Sequence, residues 1–170
     1  MEGFFDGLEQ AVRAENWHAA LVMSLTLPDI CAKVVTPTGS SGRRYAAWFD
    51  EHLKPRYTSG VGPRREPLVF LSGDDCYALR CTLLHEGSAD ITQQRARQVL
   101  ELFRFYVPGK RNIRAHRNRC NDTLILMVDE FATDVLDTAR AWWASLTDEE
   151  REATRQRQLT LSDSDAMLGI

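Results

Sequence analysis

The sequence predicts a mainly α-helical protein, a bundle of about four to six helices with a small β-hairpin inserted before the last long helix. Three observations lead there. From Asn121 onward, Leu124, Met127, Val128, Phe131, Val135, Leu136, Ala139, Trp142 and Trp143 recur at three- and four-residue steps, the period of one long amphipathic helix capped at Asn121. The segment SGDDCYALRCTLLHEG at 72–87 opens on capping residues and closes on a glycine suited to a left-handed C-terminal cap. Residues 98–107 are aromatic and β-branched, and Pro108-Gly109 then marks a turn; a strand at 98–107 and a short returning strand at 112–116 are expected.

The remaining elements follow in chain order. Residues 4–35 read as helix, with Phe4, Phe5, Leu8 and Val12, then Trp17, Leu21, Met23 and Leu25 as its apolar positions. Pro28 suits the first turn of a new helical piece, so a kink or restart is expected near Leu27. TPTGSSG at 36–42 is loop by composition, and Arg43 to Leu53 places Tyr45, Trp48, Phe49 and Leu53 near one helical face. The stretch 55–67, with three prolines and two glycines, reads as a second loop. Within 72–87, Ser72 or Asp74 is the expected cap, and Asp74 and Asp75 favour the positive end of the helix dipole. Thr147 and Glu150 form a capping-box pattern that starts a last polar helix. Residues 1–158 are expected to form one domain, and 159–170 a flexible tail.

Composition narrows the class without naming a chemistry. At 170 residues, with 44 % apolar and 26 % charged, the chain has the make-up of an ordinary globular domain able to bury a core. No wholly apolar run approaches the ~18 residues of a membrane span, and the acidic MEGFFDGLEQ start does not read as a signal peptide. Four cysteines are too few for a disulfide scaffold, so reduced thiols in a cytoplasmic protein are expected. The formal charge of −3 argues against a simple cationic nucleic-acid binder. Of 21 basic residues only Lys33, Lys54 and Lys110 are lysines, and arginine can grip phosphate bidentately. Lys110, Arg111, Arg114, His116, Arg117 and Arg119 fall close together; the run reads as a solvated basic loop or as an edge that contacts RNA phosphates.

The residues that carry chemistry lie at 79–87, Leu-Arg-Cys-Thr-Leu-Leu-His-Glu-Gly. An Arg followed after four residues by His occurs three times, at Arg13–His18, Arg80–His85 and Arg111–His116. The expected structure selects the middle one, because it alone lies on a capped helix with the Leu-Arg start, the Leu-Leu-His core and a following glycine. This segment resembles the HEPN superfamily, whose members carry Arg, four to six residues and then His on an inner helix. It departs from the usual form at Cys81, where the family most often has Asn or another polar residue.

The resemblance implies a homodimer with a composite site, no cofactor, and metal-independent cleavage of RNA in a toxin or phage-defence setting. His85 would be the general acid or base and Arg80 the phosphate ligand. Five residues along a helix turn by about 140° and rise about 7.5 Å, so the two can flank a groove that a symmetric copy completes. Tyr77 and Cys81 precede His85 by eight and four residues on one face; with Glu86 they are expected to line the site.

Two other readings stand beside this one. Cys81 with His85, and His116 with Cys120, repeat a four-residue spacing from which a tetrahedral zinc site can be drawn. A catalytically inactive interaction module, docking an antitoxin or regulatory protein, needs only the helical bundle. Trp142 and Trp143, about 100° apart on a helix, cannot share a narrow stripe, which leaves one at the core's edge or on a self-association surface. In the inactive reading Arg80 would pair with a carboxylate such as Asp75 or Glu86, and His85 would cap its helix.

Overall fold

The computed structural model describes residues 1–111, 113–159 and 161. Six α-helices dominate these residues: α1 Glu2–Arg13, α2 Trp17–Val35, α3 Ser41–His52, α4 Gly73–Glu86, α5 Val128–Ser145 and α6 Asp148–Arg155. Two small sheets interrupt them. Strands β1 (Thr58–Val61) and β2 (Glu66–Val69) form an antiparallel hairpin between α3 and α4. Strands β3 (Leu102–Tyr106), β4 (Asn118–Cys120) and β5 (Thr123–Met127) form a sheet of order β3-β5-β4 before the long α5. The mainly helical class holds. The tail expected over 159–170 lies, apart from Leu159 and Leu161, outside the described residues.

The helix expected over 4–35, with a kink or restart near Leu27, divides earlier, between α1 and α2. Glu15 adopts a left-handed φ of 54°, and the Asn16 side chain accepts the Ala19 N–H at 3.3 Å, so α1 stops and α2 is capped there. Pro28, by contrast, lies inside α2, which continues through it. The missing proline N–H removes one helical bond but does not end a helix held on several sides by packing. α2 touches α1, α3, α4 and α5. By length and composition alone it is apolar enough to cross a membrane; here its buried side chains, Leu21, Leu25, Leu27 and Cys31 among them, pack into the core against other helices.

The loop expected at 55–67 contains a 3₁₀ turn, Lys54–Tyr57, and the β1–β2 hairpin. Gly62 and Arg65, both at positive φ, turn the chain between its strands, and Pro67 is tolerated because a two-stranded ribbon has only edges.

The second sheet corrects the expected hairpin. β3 pairs with β5 in parallel, from Leu102 with Thr123 to Tyr106 with Met127, rather than with a returning strand at 112–116, of which 113–116 form no strand and 112 lies outside the described residues; the antiparallel partner of β5 is β4. Asn121, expected to cap a helix, instead takes a left-handed φ of 52° in the two-residue Asn-Asp turn between β4 and β5. Leu124 and Met127 therefore belong to a strand. Their spacing from Val128 and Phe131 fits a helix as well as it fits alternation, which conceals the change of element.

α4 forms as its sequence dictates. Ser72 accepts the Asp75 N–H at 3.1 Å, and Gly87 closes the helix at φ 66°. Asp75, 2 % exposed, accepts the Gln98 N–H at 2.6 Å and those of Val99 and Leu100 at 3.2 and 3.4 Å, fastening the chain before β3 to the head of α4. The Thr147–Glu150 capping box opens α6 as expected. Trp142 and Trp143 are both buried, and Trp142 meets Trp48 edge-on at 5.8 Å between ring centres, so this pair belongs to the core rather than to a self-association surface.

At Gly73 the first turn of α4 lies directly on α3: a methyl group there would fall 2.6 Å from the Ala46 Cα and nearer still to its carbonyl oxygen. Both obstacles are backbone. Gly73→Ala is therefore expected to destabilise the fold by about 1–3 kcal/mol through overpacking, read as a lower urea midpoint at unchanged m-value.

Candidate functional site

α4 carries Arg80 and His85 to different surroundings. The Arg80 guanidinium donates through Nη2 to Asp29 Oδ2 at 3.1 Å, and Arg44 Nη2 approaches the other oxygen of the same carboxylate at 3.9 Å. The Arg80 side chain retains 22 % exposure and Asp29 20 %. Arg44 also donates through Nη1 to the Gly39 carbonyl at 2.9 Å. Three helices thus converge on one acidic side chain: Asp29 from α2, Arg44 from α3 and Arg80 from α4. The Nε atoms of both arginines are buried without a hydrogen-bond partner among the described residues. Two guanidiniums sharing one carboxylate leave a net positive charge and donors beyond those the carboxylate satisfies.

Asp75 and Glu86 are not the partners of Arg80. Asp75 is occupied with backbone N–H groups, and Glu86 is exposed, with a 3.5 Å contact to Gln94. The signal that identifies Asp29 is in the sequence, since it is the only acidic residue between Trp17 and Val35. His85 lies exposed in the last turn of α4, and Cys81 is half-buried. Tyr77 is half-buried, its hydroxyl 3.1 Å from that of Ser41 and its ring 5.4 Å from that of Tyr45.

A second polar cluster escaped the sequence reading. Asp134, buried on α5, accepts the Tyr57 hydroxyl at 3.0 Å and Arg56 Nη1 at 3.1 Å. His116 Nε2 stands 3.4 Å from the same carboxylate, while the Met127 N–H donates to His116 Nδ1 at 3.2 Å. Nδ1 therefore carries no proton, and the Nε2–H faces Asp134. Arg117 donates to the Arg56 carbonyl at 2.6 Å and lies over the Tyr57 ring. These bonds tie the segment before β4 to the 3₁₀ turn and to α5.

The basic run accordingly divides. Arg114 bonds Asp129 at 2.6 Å and Glu130 at 3.1 Å, Arg119 bonds the Asn121 carbonyl at 2.7 Å, and the His116 side chain is only 4 % exposed. Lys110 and Arg111 are exposed beside the face of β3 and β5. The phosphate edge drawn from six residues thus has internal acidic or carbonyl partners at Arg114, His116, Arg117 and Arg119. Among the described residues no group of three or more His, Cys, Asp or Glu is arranged to hold a metal, so Cys81, His85, His116 and Cys120 do not assemble a zinc site. All four cysteines are free thiols, and burial pushes that of Cys76 up to about 12.

No protein-family model matches this chain, and neither the curated proteins nor the solved structures gave a match. The site is described by its own geometry alone.

Burial opposes ionisation of Asp134, but the His116 bond, the Arg117 charge and the Tyr57 hydroxyl outweigh it and hold the carboxyl below the ordinary aspartate value. A lowered carboxyl pKa contributes stability that is complete above the ordinary aspartate value and is lost as pH falls through the lowered one. Asp134→Asn is expected to cost about 1–3 kcal/mol at neutral pH. Its deficit should shrink as urea melts are repeated from about pH 5 toward pH 3, the range around the ordinary aspartate pKa and below it.

Proposed function

We propose that this chain is a HEPN-type endoribonuclease that cuts RNA without a metal, working as a cytoplasmic homodimer in a toxin or phage-defence setting. The observation that carries the proposal is the Arg80 guanidinium, oriented by Asp29 yet partly open, on the helix that presents His85 one and a half turns on. A guanidinium held in advance of substrate stabilises the charge that develops on phosphate at no reorganisation cost. In the reaction the ribose 2′-oxygen bonds to the adjacent phosphorus, and the bond from phosphorus to the 5′-oxygen breaks. The 2′-hydroxyl gives up its proton and the departing 5′-oxygen gains one, with His85 as the relay. The products are a 2′,3′-cyclic phosphate and a 5′-hydroxyl. Two copies facing each other through the exposed end of α4 would bring two His85 side chains to one strand, with Tyr77, Cys81 and Glu86 around them.

One observation favours the second reading, an interaction module that docks an antitoxin or regulatory protein. The Asp29 carboxylate already balances part of the positive charge that Arg80 would offer to phosphate.

The two readings part on incubating the purified protein with mixed RNA in EDTA. A ribonuclease is expected to leave 2′,3′-cyclic phosphate ends, and His85→Ala, exposed and harmless to folding, to lower the rate by about 10²–10⁴-fold. An intact RNA pool over a folded, dimeric protein would overturn the enzyme in favour of the module.

A further inference from the structure

β3 lies at the edge of its sheet, and part of that edge is open. The Phe103 N–H donates to the Ala89 carbonyl, so the Phe103 backbone turns away from β5, and that of Phe105, two residues on, turns the same way. Among the described residues the Phe105 N–H and C=O have no backbone partner. Residues opposite in register share a face of the sheet, so Arg104 and Tyr106 stand with Ile125 and Met127, while Phe103, Leu124 and Leu126 are buried on the other face. Tyr106, Ile113, Ile125 and Met127 line a groove of about 530 Å³ that also takes in Lys110 and Arg111 and has no acid among its lining residues. Neighbouring arginines are neutralised: Arg97 by Glu101, Arg114 by Asp129 and Glu130, Arg119 by Asp122. Arg104, Lys110 and Arg111, all exposed, meet no carboxylate among the described residues.

We infer that the β3 edge takes an acidic, extended segment of a partner protein as an added antiparallel strand, with a carboxylate across from Arg104 and an apolar side chain across from Tyr106. Backbone bonds to Phe105 hold a strand of any sequence, so the side chains beside them choose the partner. Arg104 and Tyr106 are two residues apart on one face, and an added strand would meet them with two of its own alternate side chains. A carboxylate answers the unpaired Arg104, and an apolar group beside the exposed Tyr106 ring extends the wall of the groove. A second copy of this edge would bring arginine to arginine, which disfavours it against an acidic strand. The direction follows from the chain at Asp90, which already bridges Leu102 antiparallel on the same edge, and antiparallel pairing is the more stable per residue. The inference stands independently of RNA cleavage, since neither Arg80 nor His85 takes part.

The test is isothermal titration of the full chain with the peptide acetyl-Thr-Glu-Val-Phe-Val-Asp-Thr-amide, which sets its Phe across from Tyr106 and its Asp across from Arg104. Saturable one-to-one binding is expected. N-methylation of both valines, which removes the strand's bonds to Phe105, should weaken it about tenfold. Arg104 is exposed, so Arg104→Glu should fold normally, weaken binding about fivefold, and favour instead a peptide whose two acids are replaced by lysine. Arg64→Glu, equally exposed but in the turn of the β1–β2 hairpin, should leave the affinity unchanged, as should His85→Ala. The peptide should also slow hydrogen exchange at the Phe105 amide. Absence of binding overturns the inference. So does undiminished binding of the N-methylated peptide, an equal loss in Arg104→Glu and Arg64→Glu, or protection of the Phe105 amide by raised protein concentration alone, which would place a second copy on the edge.

Discussion

The structure depends on the constraint that α2 has neighbours on most of its circumference. A helix in that position must be apolar nearly all round, and 17–35 is, with Asp29 and Lys33 as its only Asp, Glu, Lys or Arg residues. A carboxylate on such a helix is expensive to bury alone, by several kcal/mol, unless cations meet it. Arg80 and Arg44 do so, from two different helices. The ion pairs thereby set the register of α3 and α4 against α2. The arginine of the motif owes its position to a packing requirement of the helix it leans on, which is why a candidate catalytic group and a structural ion pair coincide in one residue.

Carboxylates perform the same service where the backbone is irregular. Asp75 stands in for a missing strand partner by taking three successive N–H groups, so 98–100 needs no sheet to satisfy them. Asp134 draws an arginine, a tyrosine and a histidine from two separate segments onto α5. Both side chains join the sheet region to the bundle through charge-assisted bonds, which are stronger than bonds between neutral groups. Helical packing alone would leave those segments weakly attached.

What could be read from the sequence was whatever local signals decide. The caps at Ser72, Gly87 and Thr147 were legible because a capping side chain or a left-handed glycine acts within a few residues of itself. The parallel pairing of β3 with β5 was not, since it joins residues about twenty apart through a register that no local pattern encodes. The β4–β5 turn carried a signal, Asn121-Asp122, which was outweighed by an apolar spacing that fits two periods at once. At the candidate site Arg80 and His85 were legible as a motif, whereas Asp29 and Arg44 meet Arg80 only through the tertiary packing of α2, α3 and α4. Asp134 was hidden for the opposite reason: on the amphipathic α5 it reads as one more polar residue, and only the fold brings Tyr57 and His116 to it.

The order β3-β5-β4 also leaves β3 at a margin of its sheet. Its outer side bonds the chain near Ala89 and Ile91 as far as Phe103, after which Arg104, Phe105 and Tyr106 continue as strand without another in register on that side among the described residues. Such a margin is a template for extending the sheet with a foreign chain, and its aromatic content would reward that. Arg104 stands exposed at the first open position, and stacking identical margins would set like charges side by side. One arginine in a row of aromatics thus keeps a fold of helices from growing by its strands.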